Sequence, residues 1–386
     1  MTGSGHRIKV VFLISDLDAG GAERVMVTIL RHIDRSRFEP ILYLSEKTGP
    51  LLPLVPQDIK IFSISELKVP QIVGLTWITF IWRFTRHLKQ IRADVIVSFL
   101  WHMNRVAIIA GKCPWMRVKT AVSERTSTSV YAGGFQNFLR SLVIRLLYPF
   151  ADVVIAPSTD IAKDLVLRRN SCEKIRVIHN PVDLAMIRAY ASEALDHPWY
   201  SGGEDIIIAI GRLGSEKGFP YLIRAMGLLR EEGFSCKLLI LGEGTERVHL
   251  EKLIAELDLT DNIELAGFQE NPYKYLARSR VFVLSSLYEG FPNVLAEALA
   301  LGIPSVATRC PSGPEEIITD EVDGILVKVA DEKAIADAIK RILQDETLRK
   351  ILSENAKKRA EDFAAEKIVH HYERVIEDLY ICSINK

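Results

Sequence analysis

The sequence predicts an α/β fold made of two doubly wound parallel-sheet domains that face a cleft. Three observations predict it. The chain has 386 residues, which at about 100 to 200 residues per domain is enough for two or three domains. Hydrophobic residues make up 48% and charged residues 25%, as in ordinary globular proteins. Short β-rich runs alternate with amphipathic helical patterns, which indicates parallel strands joined by crossover helices.

The first series of β-rich runs predicts an N-terminal domain over residues 1–180, with strands at 9–14, 40–44, 94–99, 119–123 and 152–156. The alternation then breaks at an irregular tract rich in proline and glycine. We expect an interdomain linker at 181–204.

A second series follows, with strands at 205–210, 236–241, 262–265, 281–285, 305–308 and 324–327. It predicts a C-terminal domain over 205–365, and a last helix over 366–386 that packs back on the N-terminal domain. Ligands of doubly wound sheets bind outside the carboxyl ends of the strands, so the loops at those ends are where chemistry is expected.

The charge is uneven although Lys+Arg and Asp+Glu both number 49. Residues 68–145 contain 12 basic and 2 acidic residues, a balance of +10. Such a segment attracts an anionic partner, unless it is only a solvated basic surface. The five cysteines are far apart with no CxxC pair, so neither a disulfide framework nor a zinc site is indicated.

Apolar runs are too short for a membrane span. The longest uncharged apolar stretch, residues 69–82, has 14 residues, where a spanning helix needs about 20. The first apolar run, 10–14, is followed at once by Asp16 and resembles a strand rather than a signal peptide. We expect a cytosolic protein.

Two glycine-containing loops could bind phosphate. Gly20 and Gly21 follow the first strand and open a helix, where bare backbone N–H groups suit an anion, although a plain tight turn needs the same glycines. Asp16 and Asp18 match the DxD pattern of metal-dependent sugar transferases, but so short a pattern often arises by chance, and we expect no metal. After the strand 205–210, Arg212 and Lys217 could neutralise a leaving diphosphate. The next loop has Arg247 where a dinucleotide fingerprint needs its third glycine, so a nicotinamide site is not favoured.

The segment from Glu289 to Glu297 contains the most residues that could bind a ligand or take part in catalysis. Pro292 and Asn293 are helix-start residues, which places Glu289 in the preceding loop and Glu297 about one turn inside the helix. The helix N-terminus suits a phosphate and an inward carboxylate can accept hydrogen bonds from vicinal hydroxyls. Each glutamate alone could equally be a solvated surface residue.

Within EGFPNVLAEALALGIP, the two glutamates resemble the EX7E motif of retaining glycosyltransferases with the GT-B fold, most closely glycosyltransferase family 4. The resemblance extends to GGAER at 20–24, HNPVD at 179–183, GRLGSEKG at 211–218, GF at 267–268 and PSGPEEII at 311–318, and covers essentially the whole chain. It implies two Rossmann-like domains and metal-independent transfer of a sugar from a nucleotide diphosphate sugar with retention of configuration. The only co-substrate it implies is that nucleotide sugar; no cofactor is expected.

The resemblance also implies residue roles. Arg212 and Lys217 would hold the donor diphosphate, Glu297 the ribose, and Glu289 the sugar near its anomeric carbon. The backbone after Gly267-Phe268, at Gln269, would meet the nucleobase. The implied donor-binding set is Gly20, Gly21, Gln269, Gly290, Phe291, Asn293, Val294, Leu295 and Glu297.

On the acceptor side, the sequence of this chain differs from the family pattern. Related phosphatidylinositol mannosyltransferases carry a catalytic histidine after the strand corresponding to 119–123, where this chain has Glu124 and Arg125. We assign Glu124, with Glu289, Arg212 and Lys217, to the catalytic set. The acceptor-side set is His102, Asn104 and Arg125. His102 is the rival of Glu124 for the catalytic role on this side, and a packed core histidine is the alternative for it.

Residues 71–92 indicate the kind of acceptor. Aromatic residues are followed there by basic ones, which suits the edge of an anionic membrane, although an ordinary packed helix is the alternative. We expect transfer of a hexose or N-acetylhexosamine, from a UDP-sugar, to a polyprenyl-diphosphate-linked or other lipid-linked saccharide of bacterial polysaccharide biosynthesis. The protein would lie at the inner face of the cytoplasmic membrane and bind no nucleic acid. A GT-B nucleotide-sugar epimerase, a catalytically silent scaffold and a transferase with a small soluble acceptor remain alternatives. The residues behind this expectation are Trp77, Phe80, Trp82, Phe84, Arg83, Arg86, Lys89 and Arg92.

Overall fold

The computed structural model of the protein describes residues 7–18, 20–63, 76–125, 135–168 and 170–384. The chain divides into two compact units. The first unit is Met1–Pro181 together with Ala365–Lys386, and the second unit is Val182–Ala364.

The first unit is built on a parallel sheet of seven strands in the order β3-β2-β1-β4-β5-β6-β7. Because β1 pairs with β2 on one side and β4 on the other, the strand order reverses between β1 and β4. The central strands are apolar along their length, as strands covered on both faces are. The strands are β1 Ile8–Ile14, β2 Phe38–Leu44, β3 Lys60–Ser63, β4 Val95–Phe99, β5 Lys119–Ser123, β6 Val153–Ala156 and β7 Ile175–Val177.

Helices cover both faces of this sheet. Helix α1 packs on one face, where Val25 and Met26 join the buried core. Helices α2 to α5 pack on the other, where Phe84, Ile144 and Ile161 belong to one cluster of buried side chains. The helices are α1 Gly21–His32, α2 Thr76–Ile91, α3 Trp101–Gly111, α4 Phe135–Leu147 and α5 Thr159–Leu167.

The second unit repeats the plan with six parallel strands in the order β10-β9-β8-β11-β12-β13, so its reversal lies between β8 and β11. The strands are β8 Asp205–Ile210, β9 Cys236–Leu241, β10 Ile263–Gly267, β11 Val281–Leu284, β12 Ser305–Thr308 and β13 Ile325–Val327. The helices are α6 Leu184–Ala191, α7 Pro198–Ser201, α8 Phe219–Glu231, α9 Arg247–Glu256, α10 Tyr273–Leu276, α11 Asn293–Leu301, α12 Pro314–Ile317, α13 Glu332–Gln344 and α14 Glu346–Ala360.

The last helix, α15 Ala365–Ile384, belongs to the first unit. Val369, Tyr372 and Ile376 are buried in the same core as α1. A polar contact adds to the packing, because the backbone N–H of Asp34 donates to Glu373 Oε1 at 2.8 Å. The chain therefore returns to the first sheet after completing the second.

The predicted α/β class with two doubly wound sheets is confirmed, and each predicted strand is present to within two residues at either end. The sequence analysis missed β3 and β7, which lie at the two edges of the first sheet, are only four and three residues long and are mostly not fully buried, so their apolar pattern is weak. The segment 181–204, predicted as a linker, contains α6 and α7. Asp183 caps α6 by accepting from the backbone N–H of Met186 at 2.9 Å.

Candidate functional site

In the second unit, the loops after β8 and β11 lie side by side. These two strands are paired at the reversal of the strand order, the place where doubly wound sheets bind ligands. The first loop, 211–218, contains Arg212 and Lys217, and the second, 285–292, contains Glu289. Residues that are more than 70 positions apart in sequence are thereby brought together, with Lys217 and Glu289 separated by 72.

Lys217 and Glu289 form an ion pair. The ammonium lies 2.6 Å from Glu289 Oε1, and the two side chains are 19% and 10% exposed. Ser286 Oγ donates to the same carboxylate oxygen at 2.7 Å. Hydrogen bonds between charged groups are stronger than neutral ones, so this carboxylate is held in a fixed position at the edge of the sheet.

The two loops are also joined through their backbones. Leu287 N–H donates to the carbonyl oxygen of Glu216 at 2.8 Å, and Ser285 Oγ donates to that of Lys217 at 2.8 Å. Gly218 has φ +61°, and a Cβ there would lie 2.2 Å from the Ser285 carbonyl oxygen. Only glycine fits so close an approach in a left-handed conformation.

Arg212 is held by a residue that the sequence analysis did not single out. Its side chain is 71% exposed, and its Nη2 donates to Glu216 Oε1 at 2.7 Å. Burial acts to raise the pKa of Glu216, but the hydrogen bond from Arg212, a backbone hydrogen bond and the charges of Arg212 and Lys217 together outweigh it, and the pKa is lowered. The opposite charges four residues apart were the available signal for this pair. Glu216 therefore limits the positions that the Arg212 guanidinium can take.

Helix α11 begins as predicted, after Pro292, and Glu297 lies half-buried one turn inside it. The predicted donor-binding residues around the N-terminus of this helix differ in how much of their surface is exposed to solvent. Gly290, Asn293 and Val294 are half-buried, whereas the ring of Phe291 is almost fully buried.

Leu295 lies in the first turn of α11. Its side chain has no exposed surface, and its backbone N–H donates to the carbonyl oxygen of Pro292 at 3.0 Å. The contact predicted for Leu295 is one between its backbone and the donor, at the helix N-terminus, and it stays a prediction.

Gln269 lies after β10, and its side chain is bound within its own unit. Its Nε2 donates to the carbonyl oxygen of Ala266 at 2.9 Å, and its Oε1 accepts from the Tyr275 hydroxyl at 3.1 Å. The preceding Gly267 has φ +74°, and its carbonyl oxygen accepts from Gly242 N–H at 2.8 Å. The loop is thus fixed to the loop after β9, a geometry that suits the backbone contact with a nucleobase that the family resemblance implies.

Cys310 is a second residue that sequence reasoning missed at this site. It is 3% exposed and follows β12. Burial first, and then the nearby Glu289 carboxylate, raise the pKa of its thiol to about 12. The thiol is therefore neutral and adds no charge near the Lys217–Glu289 pair.

In the first unit, the loop after β1 leads to Gly20 and Gly21 at the start of α1. A Cβ on Gly20 would lie 2.3 Å from the carboxylate of Glu23, so the glycine makes room for that side chain. Burial, with a contribution from Asp16, raises the pKa of Glu23, while the charge of Arg125 acts in the opposite direction. Glu23 is thus a partly buried carboxylate that the sequence analysis did not single out.

Glu124 does not have the position that its predicted catalytic role requires. It is 2% exposed. Arg140 Nη2 donates to its Oε1 at 2.7 Å, and the Tyr148 hydroxyl donates to its Oε2 at 2.5 Å. Both carboxylate oxygens are therefore engaged inside the unit, and we correct the prediction: Glu124 is a structural residue in this geometry. Burial also raises the pKa of Tyr148 well above its ordinary value.

Asn104 requires the same correction. It has no exposed surface, and its Oδ1 accepts from Ser98 Oγ at 2.8 Å. Its Nδ2 donates to the carbonyl oxygen of Ser123 at 2.9 Å and to the Tyr148 hydroxyl at 2.8 Å. The amide thus ties β4, β5 and the end of α4 together rather than facing an acceptor.

His102 and Arg125 keep partly exposed surface at the carboxyl ends of β4 and β5. Burial and the nearby Arg105 lower the pKa of His102. The Arg125 guanidinium lies 4.7 Å from the centre of the Phe99 ring and donates to Asn180 Oδ1 at 2.7 Å. Of the four acceptor-side candidates, these two remain able to contact a ligand.

The described ranges contain no group of three or more His, Cys, Asp or Glu side chains that could hold a metal ion. Asp16 Oδ1 accepts from the backbone N–H of Asp18 at 3.2 Å, which is a local turn contact. None of the described helices has both the length and the apolar content to span a bilayer.

Most of the chain matches known protein families. Residues 198–359 match the family described as "Glycosyl transferases group 1", and residues 19–186 match "Glycosyltransferase Family 4". The two matches fall on the second and the first unit, respectively, and together include the candidate residues of both sheets.

Individual relatives match over nearly the full length. A Campylobacter jejuni enzyme, "N-acetylgalactosamine-N,N'-diacetylbacillosaminyl-diphospho-undecaprenol 4-alpha-N-acetylgalactosaminyltransferase", is 31% identical over 93% of this chain and 97% of its own. A second enzyme of that organism, an alpha-1,4-N-acetyl-D-galactosaminyltransferase acting on a diphospho-undecaprenol-linked saccharide, is 26% identical over 96% of this chain and 99% of its own. The solved structure of Anabaena HepE in complex with UDP-glucose covers 96% of this chain and all of its own, with a TM-score of 0.82 and 20% identity, and supports the fold alone.

Proposed function

Because the chain belongs to the group 1 glycosyltransferases of glycosyltransferase family 4, we propose that it transfers a hexose or N-acetylhexosamine from a UDP-sugar to a lipid-linked saccharide. The observation that carries the proposal is the Lys217–Glu289 pair at the strand reversal of the second sheet. The printed names of the two Campylobacter relatives supply the acceptor class, a saccharide on diphospho-undecaprenol. The Anabaena structures with UDP and UDP-glucose favour a uridine donor.

The charges of the pair match the charges that sugar transfer creates. Breaking the bond between the anomeric carbon and the phosphate leaves a positive, oxocarbenium-like sugar and a negative diphosphate. An ammonium and a carboxylate that lie 2.6 Å apart can stabilise the two separating charges, Lys217 at the phosphate and Glu289 at the sugar. Arg212, on the same loop and largely exposed, would add a second cation on the diphosphate.

We propose that the reaction needs no metal and retains the anomeric configuration. Arg212, Lys217 and the N-terminus of α11 would supply the positive charge that a divalent cation supplies in other transferases. For retention we favour attack by the acceptor from the face that the leaving diphosphate vacates. The departing phosphate oxygen then takes the proton from the acceptor hydroxyl, and no buried base such as Glu124 is required.

The acceptor would bind to the first unit and bring the protein to an anionic membrane on its cytoplasmic side. In α2, Trp82 is exposed, and the Arg86 guanidinium lies 5.4 Å from its ring centre; the exposed ring supports the proposal. Phe84 corrects that prediction, because it is fully buried in the core. Residues 71–75 and the side chains of Trp77 and Phe80 lie outside the described part of the chain.

The proposal is tested with the purified full-length chain and a panel of radiolabelled UDP- and GDP-sugars, offered with and without a polyprenyl-diphosphate-linked saccharide. We expect acceptor-dependent incorporation from one UDP-sugar, with NMR of the product showing the anomeric configuration of the donor. Release of free sugar or formation of an epimer without acceptor would instead support an epimerase. Inversion at the anomeric carbon would contradict the retaining mechanism but not the transfer.

A further inference from the structure

Helix α4 presents apolar side chains on its outer side. Phe138, Leu142 and Leu146 are 64%, 40% and 55% exposed. Their spacing of four residues places them in one row along the helix. The opposite side of the same helix buries Ile144 in the core of the first unit. We call Phe138, Leu142 and Leu146 the α4 stripe; it is an exposed apolar row on a helix that is otherwise well anchored.

The α4 stripe lies in a helical layer that exposes further apolar side chains. Helices α2 to α5 cover the same face of the first sheet. Exposed large apolar residues from this layer and its connecting loops include Trp82, Ile109, Trp115 and Phe150. In the second unit, the described residues expose such side chains only singly, at Val248, Phe268, Val322 and Ile351. A grouping of this kind marks an interaction surface, whereas scattered single residues do not.

The same layer is cationic. Over 68–145 the acidic residues are Asp94 and Glu124 alone. Glu124 is paired internally with Arg140, and Asp94 accepts from the backbone N–H of Lys9 at 2.8 Å. The exposed basic residues of the layer are Arg86, Lys89, Arg92, Lys112, Arg117, Arg145 and Lys163. Among the described residues of α2 to α5, the exposed carboxylate is Asp160, which pairs with Lys163 at 3.1 Å. The surface thus combines apolar side chains with an excess of positive charge in its described part.

The combination of apolar side chains and positive charge indicates which kind of partner this surface binds. A symmetric dimer through the layer would bring each cationic surface against its own copy, and like charges would repel. An anionic bilayer offers both complements, because acyl chains take the aromatic and leucine side chains while lipid phosphates attract the basic ones. Arg145 lies on α4 beside the stripe and is exposed, so one helix carries both components.

We propose that the α4 stripe inserts into the interfacial region of a membrane containing anionic lipids and is a main apolar anchor of this protein. The inference deepens the proposed function, on which it rests, by naming the surface through which a lipid-linked acceptor would be reached. It also assigns the main apolar contribution to membrane binding to α4 rather than to α2, whose Phe84 is buried.

The test compares the wild-type chain with F138Q/L142Q/L146Q. A matched control, V248Q/V322Q/I351Q, removes three exposed apolar side chains from the second unit. Co-sedimentation uses vesicles of equal parts phosphatidylglycerol and phosphatidylethanolamine. At roughly tenfold for each of the three side chains that leave the interface, we expect the stripe variant to bind about 1,000-fold more weakly. The control variant should bind as the wild type does, and phosphatidylcholine vesicles should bind all three proteins poorly.

A second readout separates this inference from the proposed function. Transfer from the UDP-sugar to a water-soluble acceptor with a short prenyl chain should be equal in all three proteins, because the substituted residues are outside the donor site. If the wild type binds vesicles through the stripe but transfers no sugar, the proposed function fails and the inference stands. Equal sedimentation of wild type and stripe variant would overturn the inference. A wild-type dimer that the stripe variant converts to a monomer in sedimentation velocity would overturn it as well.

Discussion

Replacing Lys217 by alanine removes the cation that lies 2.6 Å from Glu289 and leaves the rest of the loop in place. The backbone of residue 217 is held independently of its side chain, because its carbonyl oxygen accepts from Ser285 Oγ at 2.8 Å. Gly211 and Gly218, which set the course of the loop, are unchanged. The substitution is therefore a clean test of the ammonium.

The size of the effect has two parts. Loss of one preorganised donor to a growing negative charge costs about 2.7 to 4 kcal/mol, which is about 100- to 1,000-fold in kcat/KM. The free energy of unfolding also falls, because Glu289 loses its charged partner and keeps the Ser286 hydrogen bond. That loss should be smaller than the roughly 3–5 kcal/mol found for fully buried pairs, since Lys217 is still 19% exposed.

Lys237 is a matched control. It lies on β9 of the same unit, is 18% exposed, and its ammonium is 3.6 Å from Glu204. Because it is the second residue of β9, it is at the opposite end of the strand from the ligand-binding loops. Lys237→Ala should lower stability by a comparable or smaller amount and leave kcat/KM within about twofold of wild type.

The assay measures transfer of labelled sugar at varied donor concentration, together with urea unfolding and calorimetric titration of UDP. Lys217→Ala should lose most of its activity in kcat, because the charge on the diphosphate grows during bond breaking, and should bind UDP only modestly more weakly. A folded Lys217→Ala protein with near wild-type kcat/KM would refute the assignment. An equal loss in Lys237→Ala would show that the effect is structural.

Three further predictions follow from the same geometry. Transfer activity should survive exhaustive chelation with EDTA; a complete loss that manganese restores would revive the metal reading of Asp16 and Asp18. Gly218→Ala should lower the free energy of unfolding by about 1–3 kcal/mol in urea titration, because φ is +61° and a Cβ would meet the Ser285 carbonyl oxygen; unchanged stability would contradict this conformation. Iodoacetamide at pH 8 should spare Cys310, whose thiol pKa is raised to about 12, while it modifies exposed cysteines; mass spectrometry of the peptides would detect labelling that contradicts this.

Much of the fold could be predicted because buried parallel strands appear as continuous apolar runs, and the loops that follow them are then located by position alone. Position places Arg212, Lys217 and Glu289 in loops at the carboxyl ends of strands, and the family resemblance assigned them to one donor site before any contact was known. The edge strands β3 and β7 were not predicted because they are short and mostly not fully buried. Their apolar periodicity is therefore weak.

The roles of individual polar residues were less predictable, because they depend on partners that sequence proximity does not identify. Glu124 follows a strand in the way a catalytic residue does, yet its partner Arg140 lies 16 positions later on α4. Glu216 was predictable in principle, since it stands four residues after the cation that it binds.

The internal position of Glu124 bears on how the first unit could work. Glu124 directly precedes Arg125, which remains able to contact a ligand, and Glu124 also binds Arg140, which is on the buried side of α4. Because both side chains of this pair are less than a tenth exposed, breaking it by removing one partner would cost about 3–5 kcal/mol. The pair thus fixes α4 to the carboxyl end of β5. Arg125, which we propose on the acceptor side, and the proposed membrane-binding stripe on α4 are thereby joined through one buried ion pair. Under both proposals, the acceptor and the bilayer therefore contact the same rigid part of the first unit.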